Sequence, residues 1–302
     1  MVHDATEAGA DAAQLAAERP TLTAAAFRML GTYADAEDAV QEAYARWFRL
    51  DDAARRAIVV PGAWLMRVTA RICLDVLGSA RVRRESYAGE WLPEPVPAFS
   101  DAATVDPLDA VVRGDSVSTA LLLVLETLTP AERVVFVLRE VFGLSFTEIA
   151  DAIGRTPAAC RQLATSARRH VGERRGAVVP RGRHDELVAA FAQAASTGEL
   201  ARLVAVLDPA VVLRSDGGGV VSAARRPVRG ADDVGRFLLG LARKNPSARY
   251  EPVVTGDGAG ILLRLGEGSG AEVAGVISFA TDGDRVTDVW IMRNPAKLRL
   301  WS

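Results

Sequence analysis

The chain has 302 residues, enough for two or three domains that each bury a core. Hydrophobic residues make up 49% and charged residues 25%, which excludes wholesale disorder. A net charge near −2 excludes a uniformly basic nucleic-acid coat, so any affinity for DNA has to come from local patches. Lys244 and Lys297 are the only lysines, so the arginine excess by itself carries no functional message.

Cys73, Cys160, His3, His170 and His184 fit no familiar metal-ligand spacing. The expectation is no metal, no cofactor and a reducing, cytoplasmic setting. No basic segment followed by an apolar run opens the chain, and no apolar stretch is long enough to span a bilayer, so no membrane association is expected.

Residues 1–19, rich in Ala, Asp and Glu, read as a flexible lead-in. A helical block follows over residues 20–85. Within it, Asp35, Glu37, Asp38, Gln41 and Glu42 crowd a helix start, where Asp35 would cap the helix and its neighbours complement the dipole. They also offer an acidic surface to a basic partner. Val40, Ala43, Tyr44, Trp47 and Phe48 form the apolar face of that helix. The next helix, 62–77, buries Leu65, Val68, Ile72 and Val76 and carries Arg67 and Arg71 on another face; Arg81, Arg83 and Arg84 follow. This basic run suits the phosphates and bases of an opened strand, or is a solvated helix face.

Residues 86–115 read as an acidic linker, because Pro93, Pro95, Pro97 and Pro107 forbid a long helix. Residues 116–176 then read as a helix-turn-helix. Val134, Val135, Leu138, Val141 and Phe142 repeat with helical period, and Ile149 and Ile153 join the same core. Gly154 supplies the positive φ that ends a helix, and Thr156-Pro157 restarts one. Arg155, Thr156, Arg161, Gln162, Arg168 and Arg169 sit where such a helix meets a DNA groove.

From residue 183 to 302 the pattern changes to helices followed by strands. Strands are expected at 210–214, 220–225, 249–255, 260–265, 272–280 and 286–292, with a helix at 231–243. Asp-Gly turns punctuate them, and the expected result is a small α+β domain with a curved antiparallel sheet.

These residues resemble a known family. Arg28-Met29-Leu30-Gly31, Ala36–Glu42, Trp64-Leu65 and Arg71–Asp75 are similar to region 2 of the extracytoplasmic-function (ECF) RNA polymerase sigma factors, and residues 116–171 are similar to region 4. Tyr87–Pro95, Asp216-Gly217-Gly218-Gly219 and Asn294–Leu298 resemble strings of the SigJ-type subgroup, which carries a C-terminal SnoaL-like (NTF2-like) domain. The resemblance implies two all-α sigma domains plus that α+β domain, and a chain that directs promoter recognition and transcription initiation.

It further implies that Asp35, Glu37, Asp38, Gln41 and Glu42 meet a β′ coiled coil of core RNA polymerase, whose β subunit is a further partner. Arg67, Arg71, Arg81, Arg83 and Arg84 would lie near the −10 element of promoter DNA. Arg155, Thr156, Arg161, Gln162 and Arg168 would serve the −35 element. Trp91, Leu92, Pro93, Glu94, Pro95, Asp216, Gly217, Gly218, Gly219, Asn294, Pro295, Lys297 and Leu298 would form a regulatory contact in which the C-terminal domain touches the linker. The subgroup's glycine string ends in lysine where this chain has Val220, leaving Arg214, Arg225 or Arg226 as substitutes for a basic contact.

SnoaL-like folds include isomerases and cyclases, which need an acid or base in an apolar pocket. His184, Asp208, Asp216 and Tyr250 do not make such a set, so no catalytic residues are expected. A small hydrophobic ligand in the domain's cone stays open. The competing reading is a ligand-responsive one-component DNA-binding regulator, which would need no polymerase surface.

Overall fold

The computed structural model describes residues 2–85, 87, 89–98, 118–172, 180–266 and 271–301, with the side chains of 2–14 and 80–85 outside the description. These residues fall into two compact units. One is drawn from residues 2–82 and 124–172, the other from residues 83–98, 118–123 and 180–301.

The first unit is all helical. It comprises α1 (Val2–Leu30), α2 (Tyr33–Arg49), α3 (Asp52–Ala57), most of α4 (Pro61–Glu85), α6 (Pro130–Phe136), α7 (Phe146–Ile153) and α8 (Pro157–Gly172). Where a flexible lead-in was expected, α1 is helical from Val2, because its Ala-rich sequence has high helix propensity. Leu15 is already buried and its carbonyl accepts a hydrogen bond from the Tyr44 hydroxyl. Leu22, Phe27 and Met29 of α1 share the core with Val40, Leu65 and Cys73.

Two local expectations fail here. Phe48 is 62% exposed and leaves the apolar face of α2 at Trp47, which stacks edge-on against Trp64 at 5.3 Å. Val141 is exposed rather than inward, because α6 continues into a π-type turn, Val137–Val141, whose extra residue rotates the face.

The second unit holds α9 (Arg181–Thr197), α10 (Leu200–Val206), α11 (Ala231–Lys244) and a six-stranded sheet. Its strands are β1 (Leu207–Asp216), β2 (Val228–Arg229), β3 (Arg249–Thr255), β4 (Gly258–Leu265), β5 (Glu272–Asp282) and β6 (Arg285–Met292), in the order β2-β1-β6-β5-β4-β3. The helices followed by a sheet make the α+β layout expected of a SnoaL-like domain. Helix α5 (Thr119–Leu125) begins in this unit.

The sheet is mixed, not antiparallel. β1 and β6 pair in parallel, with Leu213 opposite Val289 and Asp216 opposite Met292. The Asp-Gly turns specify the hairpins β3–β4 and β5–β6 but carry no information about this non-local pair. The strand expected at 220–225 is also absent. Gly218 and Gly219 take φ of 66° and 74°, Val220 and Val221 donate back to the Gly217 carbonyl, and the segment is a loop.

Period-two alternation gives this sheet two buried faces. Ile261, Ile277, Val289 and Ile291 face α9–α11, with Phe191, Leu203 and Leu238 in the same cluster. Their neighbours Leu262, Val276, Trp290 and Met292 face the other way, where Leu92, Leu298 and Trp301 cover them. The expected linker thus contributes a core residue, since Leu92 packs on this apolar sheet face beside Ala120 and Leu123 of helix Thr119–Leu125.

Candidate functional site

The helix-turn-helix is assembled by local chemistry. Thr129 and Glu132 form a capping box at the start of α6, and Ser145 and Glu148 form another at α7. Gly154 ends α7 at φ 66°, and the Thr156 hydroxyl accepts from the Ala159 N–H at 3.2 Å to start α8. Cys160, Ala164, Ala167 and Val171 are the buried stripe of α8. That leaves Arg155, Thr156, Arg161, Gln162 and Arg169 together on the exposed side. Arg161, Gln162 and Arg169 line a shallow groove with Thr165 and Ser166. The Arg161 and Arg139 guanidiniums lie 5.9 and 4.9 Å from the centre of the Phe146 ring, which limits their freedom.

Two expected DNA contacts are engaged within the chain. Arg168 pairs with Glu140 at 2.7 Å. Arg71 donates to the Ile153 carbonyl at 3.2 Å, at the C-terminus of α7. Arg67 is exposed on α4. Arg81, Arg83 and Arg84 lie on α4, but their side chains fall outside the described residues.

On α2 the cap is Thr32, not Asp35. The Thr32 hydroxyl oxygen accepts from the Asp35 N–H, and the hydroxyl donates to the Asp35 carboxylate at 2.6 Å. Thr32 wins because it sits one residue before the first helical position, whereas Asp35 is already inside the first turn. Asp35, Asp38 and Gln41 are exposed. Glu42 pairs with Arg46 at 2.9 Å and with Arg49, and the Arg46 hydrogen bond holds its carboxyl below the usual range.

Behind these surfaces lies a residue that sequence reasoning missed. Arg133 is 2% exposed, pairs with Glu126 and donates to the Arg28 carbonyl at 3.4 Å. Burial pushes its guanidinium down to about 9. Only its place in the apolar stripe of α6 hinted at this role.

In the second unit, the three strings singled out by sequence converge on one carboxylate. Asp216 is fully buried at the end of β1. Its Oδ2 accepts from Lys297 Nζ at 2.8 Å and from the Leu92 N–H at 3.0 Å. Its Oδ1 accepts from the Tyr87 hydroxyl at 2.6 Å and from the Gly218 N–H at 2.9 Å. Lys297 also donates to the Leu92 carbonyl at 2.6 Å and sits 4.1 Å from the centre of the Trp91 ring. Asn294 donates to Tyr87 at 3.0 Å. Burial, then the Asp216 hydrogen bond, pushes the Tyr87 phenol far up.

The glycine string makes the approach possible. A Cβ on Gly217 would stand 2.0 Å from the Val221 carbonyl oxygen, and one on Gly218 would stand 2.6 Å from Asn294. The basic contact to the linker is thus supplied by Lys297, not by a residue at position 220. Arg214 adds a longer approach to Glu90, 3.9 Å, while pairing with Asp288. Arg225 and Arg226 make no described ion pair to the linker.

Further along, Ala98 donates to the Val254 carbonyl at 2.8 Å, Gly256 donates to the Val96 carbonyl at 3.0 Å, and the Trp301 indole donates to the Pro95 carbonyl at 2.8 Å. Pro93, Glu94 and Pro95 are buried in this contact, and Pro295 opens the short turn that carries Lys297 and Leu298. Two links were not anticipated: Trp301, and the Asp257 carboxylate, which accepts from the Thr119 N–H and hydroxyl at 2.7 and 2.5 Å.

Three of the four residues considered for catalysis, His184, Asp208 and Asp216, have structural partners. His184 is buried, with its ring nitrogens near the Thr281 hydroxyl and the Ala259 carbonyl. Asp208 lies in β1 and accepts from the Ala210 N–H. Asp216 is held in the contact described above. Among the described residues no cluster of His, Cys, Asp and Glu could hold a metal ion, and no helix is long and apolar enough to cross a membrane.

Comparison with known proteins matches this geometry. Residues 15–84 match the Sigma-70 region 2 family, and residues 118–171 match Sigma-70, region 4. The ECF RNA polymerase sigma factor SigJ of Mycobacterium tuberculosis is 39% identical, covering 95% of this chain and 93% of its own length. The probable ECF RNA polymerase sigma factor SigI of the same species is 38% identical, covering 93% and 92%. The crystal structure of M. tuberculosis SigJ superposes with a TM-score of 0.75 at 35% identity, covering 95% of this chain and 98% of that one. Two sigma regions, a third domain, and likeness along nearly the whole length of two relatives together place the chain in the family of ECF RNA polymerase sigma factors, in its SigJ-type group with a C-terminal SnoaL-like domain.

Proposed function

We propose that the chain binds core RNA polymerase, directs it to a two-part promoter and starts transcription there, with output set by its own C-terminal domain. The observation that carries this reading is the exposed set Arg155, Thr156, Arg161, Gln162 and Arg169, held on a capped, well-packed helix-turn-helix. Its early residues are suited to base edges at the −35 element and its later arginines to phosphates. Arg67, Arg71, Arg81, Arg83 and Arg84 would serve the melted −10 strand. The exposed Asp35, Asp38 and Gln41, with Glu37 and Glu42 beside them, would meet the β′ coiled coil, and the β subunit would complete the holoenzyme.

Sigma factors are non-enzymatic regulators, and the polymerase supplies the chemistry. The chain would work beside it in the cytoplasm. Regulation would act through the linker, because Asp216 and Lys297 hold the Leu92 peptide by both its N–H and its carbonyl. A segment gripped this way on the C-terminal domain is not free to follow the polymerase surface. A small-molecule ligand in that domain would then have a route to transcription.

The test is run-off transcription with core polymerase plus the full chain on a genomic promoter library. Discrete start sites that share a two-part motif are expected. Absence of any polymerase-dependent product would overturn the proposal.

A further inference from the structure

The turn between β3 and β4 is braced from behind. The Thr255 hydroxyl donates to the Gly258 carbonyl at 3.1 Å and accepts from the Asp257 N–H at 3.2 Å. Asp185 of α9 accepts from the Ala259 N–H at 2.8 Å. Thr255 is buried, which shields its bonds from water and stiffens the turn that carries Asp257.

Two separate stretches of the chain are fastened to this turn. The linker lies antiparallel along it, with Ala98 donating to the Val254 carbonyl, Gly256 donating to the Val96 carbonyl and Pro97 opposite Thr255. Thr119, which opens α5, is buried and gives Asp257 its N–H at 2.7 Å and its hydroxyl at 2.5 Å. Asp257 has no ion pair among the described residues, so its carboxylate serves the start of α5. That helix already has a cap of its own, since the Ser118 hydroxyl accepts from the Leu121 N–H at 3.1 Å. The bonds to Asp257 are therefore additional to what α5 needs in order to form.

We propose that the β3–β4 turn is a second regulatory grip, in which Asp257 restrains the first helix of region 4 while the same turn holds the end of the linker. The proposal rests on the reading of the chain as a sigma factor regulated by its C-terminal domain. It adds a hold on region 4, which matches from residue 118, to the hold that Asp216 and Lys297 have on Leu92. The −35 and −10 elements lie about 25 base pairs apart, roughly 85 Å of duplex. A stretch of roughly 20 residues, as between Ala98 and Thr119, reaches at most about 70 Å when extended. With both ends on one turn that reach is lost to regions 2 and 4, and releasing Thr119 restores it. The grip thus holds transcription down.

Thr119→Pro removes both donors, and proline suits the first position of a helix, so α5 survives the change. Asp257→Ala removes the acceptor. Run-off transcription with core polymerase and the full chain should rise about threefold or more with either variant, the shift that one or two lost hydrogen bonds give an equilibrium. The double variant should rise no further, because all three proteins lose the same contact. Loss of a merely structural residue would lower output instead. Amides of Leu122–Leu125 should exchange with deuterium about threefold or more faster in both variants.

Thermal unfolding identifies which variants stay folded. If neither does, Thr119→Val, which loses only the hydroxyl, decides by the same two measurements. Unchanged or lowered output from a folded variant, additive effects in the double variant, or unaltered exchange in α5 overturns the grip. The wild-type chain separates the two readings. If it gives no polymerase-dependent product, the sigma-factor reading fails by itself, and exchange in α5 still decides whether Asp257 holds the helix.

Discussion

Lys297 and Asp216 form a buried ion pair, Nζ to Oδ2 2.8 Å, that closes around the backbone of Leu92. Every oxygen of the carboxylate is hydrogen-bonded, and the ammonium has Asp216, the Leu92 carbonyl and two aromatic rings around it. A buried pair satisfied this fully holds a geometry in place more than it adds stability over an apolar pair.

Removing one partner should therefore be costly. Lys297→Met leaves an ionised Asp216 buried and should destabilise the C-terminal unit by about 3–5 kcal/mol. The double variant Lys297→Met with Asp216→Asn should lose less than the sum of the single changes. Urea unfolding of all four proteins checks both statements. A Lys297→Met loss under about 1 kcal/mol would contradict the pair's role.

Gly218→Ala should be disruptive despite its small size. The new Cβ would lie 2.6 Å from the Asn294 amide, at a backbone φ of 66° that L side chains rarely adopt. A loss of about 2 kcal/mol or more is expected, together with faster proteolysis near Tyr87–Pro95. Gly283→Ala, also at positive φ but with open space around it, should cost about 1 kcal/mol.

Asp257 predicts a pH effect. Burial pushes its carboxyl up to about 6, against hydrogen bonds from Thr119 that pull the other way. A folded-state value above the unfolded one means the stabilising contribution is full below about pH 4 and lost as pH rises through about 6. Relative to Asp257→Asn, wild-type stability should thus fall by about 1–3 kcal/mol across that window. Chemical denaturation at pH 4, 5, 6 and 7 measures it, and a flat difference would refute the assignment.

Arg161→Ala should lower promoter-directed transcription by about 5- to 150-fold, the equivalent of one lost base-edge pair, without moving the melting temperature. Arg161 is exposed and its described contact is with the Phe146 ring, so folding does not depend on it. An unaltered promoter profile would make α8 a purely structural helix.

Asp38→Arg should abolish co-purification with core polymerase. The side chain is exposed and pairs with no described residue, so reversing its charge alters the surface and not the fold. Retained binding would move the polymerase interface away from α2.

Local chemistry was legible from sequence. The Gly154 and Thr156-Pro157 signals act over four residues or fewer, so the turn and the start of α8 could be located without a structure. The hairpins β3–β4 and β5–β6 followed from their Asp-Gly turns in the same way. The misreadings share a cause. Val141 turned outward because one π-type turn shifts a helical face, and 220–225 is a loop because Gly217–Gly219 closes on itself. Neither event alters the hydrophobic period from which the elements were inferred.

By itself the sequence determined the order of helices and strands, the two sigma regions and the residue strings that mark the group, because those depend on near neighbours and composition. Only the tertiary structure decided that Tyr87, Leu92, Asp216 and Lys297 meet, that β1 runs parallel to β6, and that Arg71 reaches the Ile153 carbonyl. Such contacts join residues 81 to 207 positions apart or pair a strand from the start of the sheet domain's sequence with one near its end. They are fixed by which apolar faces remain to be covered once the local elements have formed, and no spacing along the chain records that.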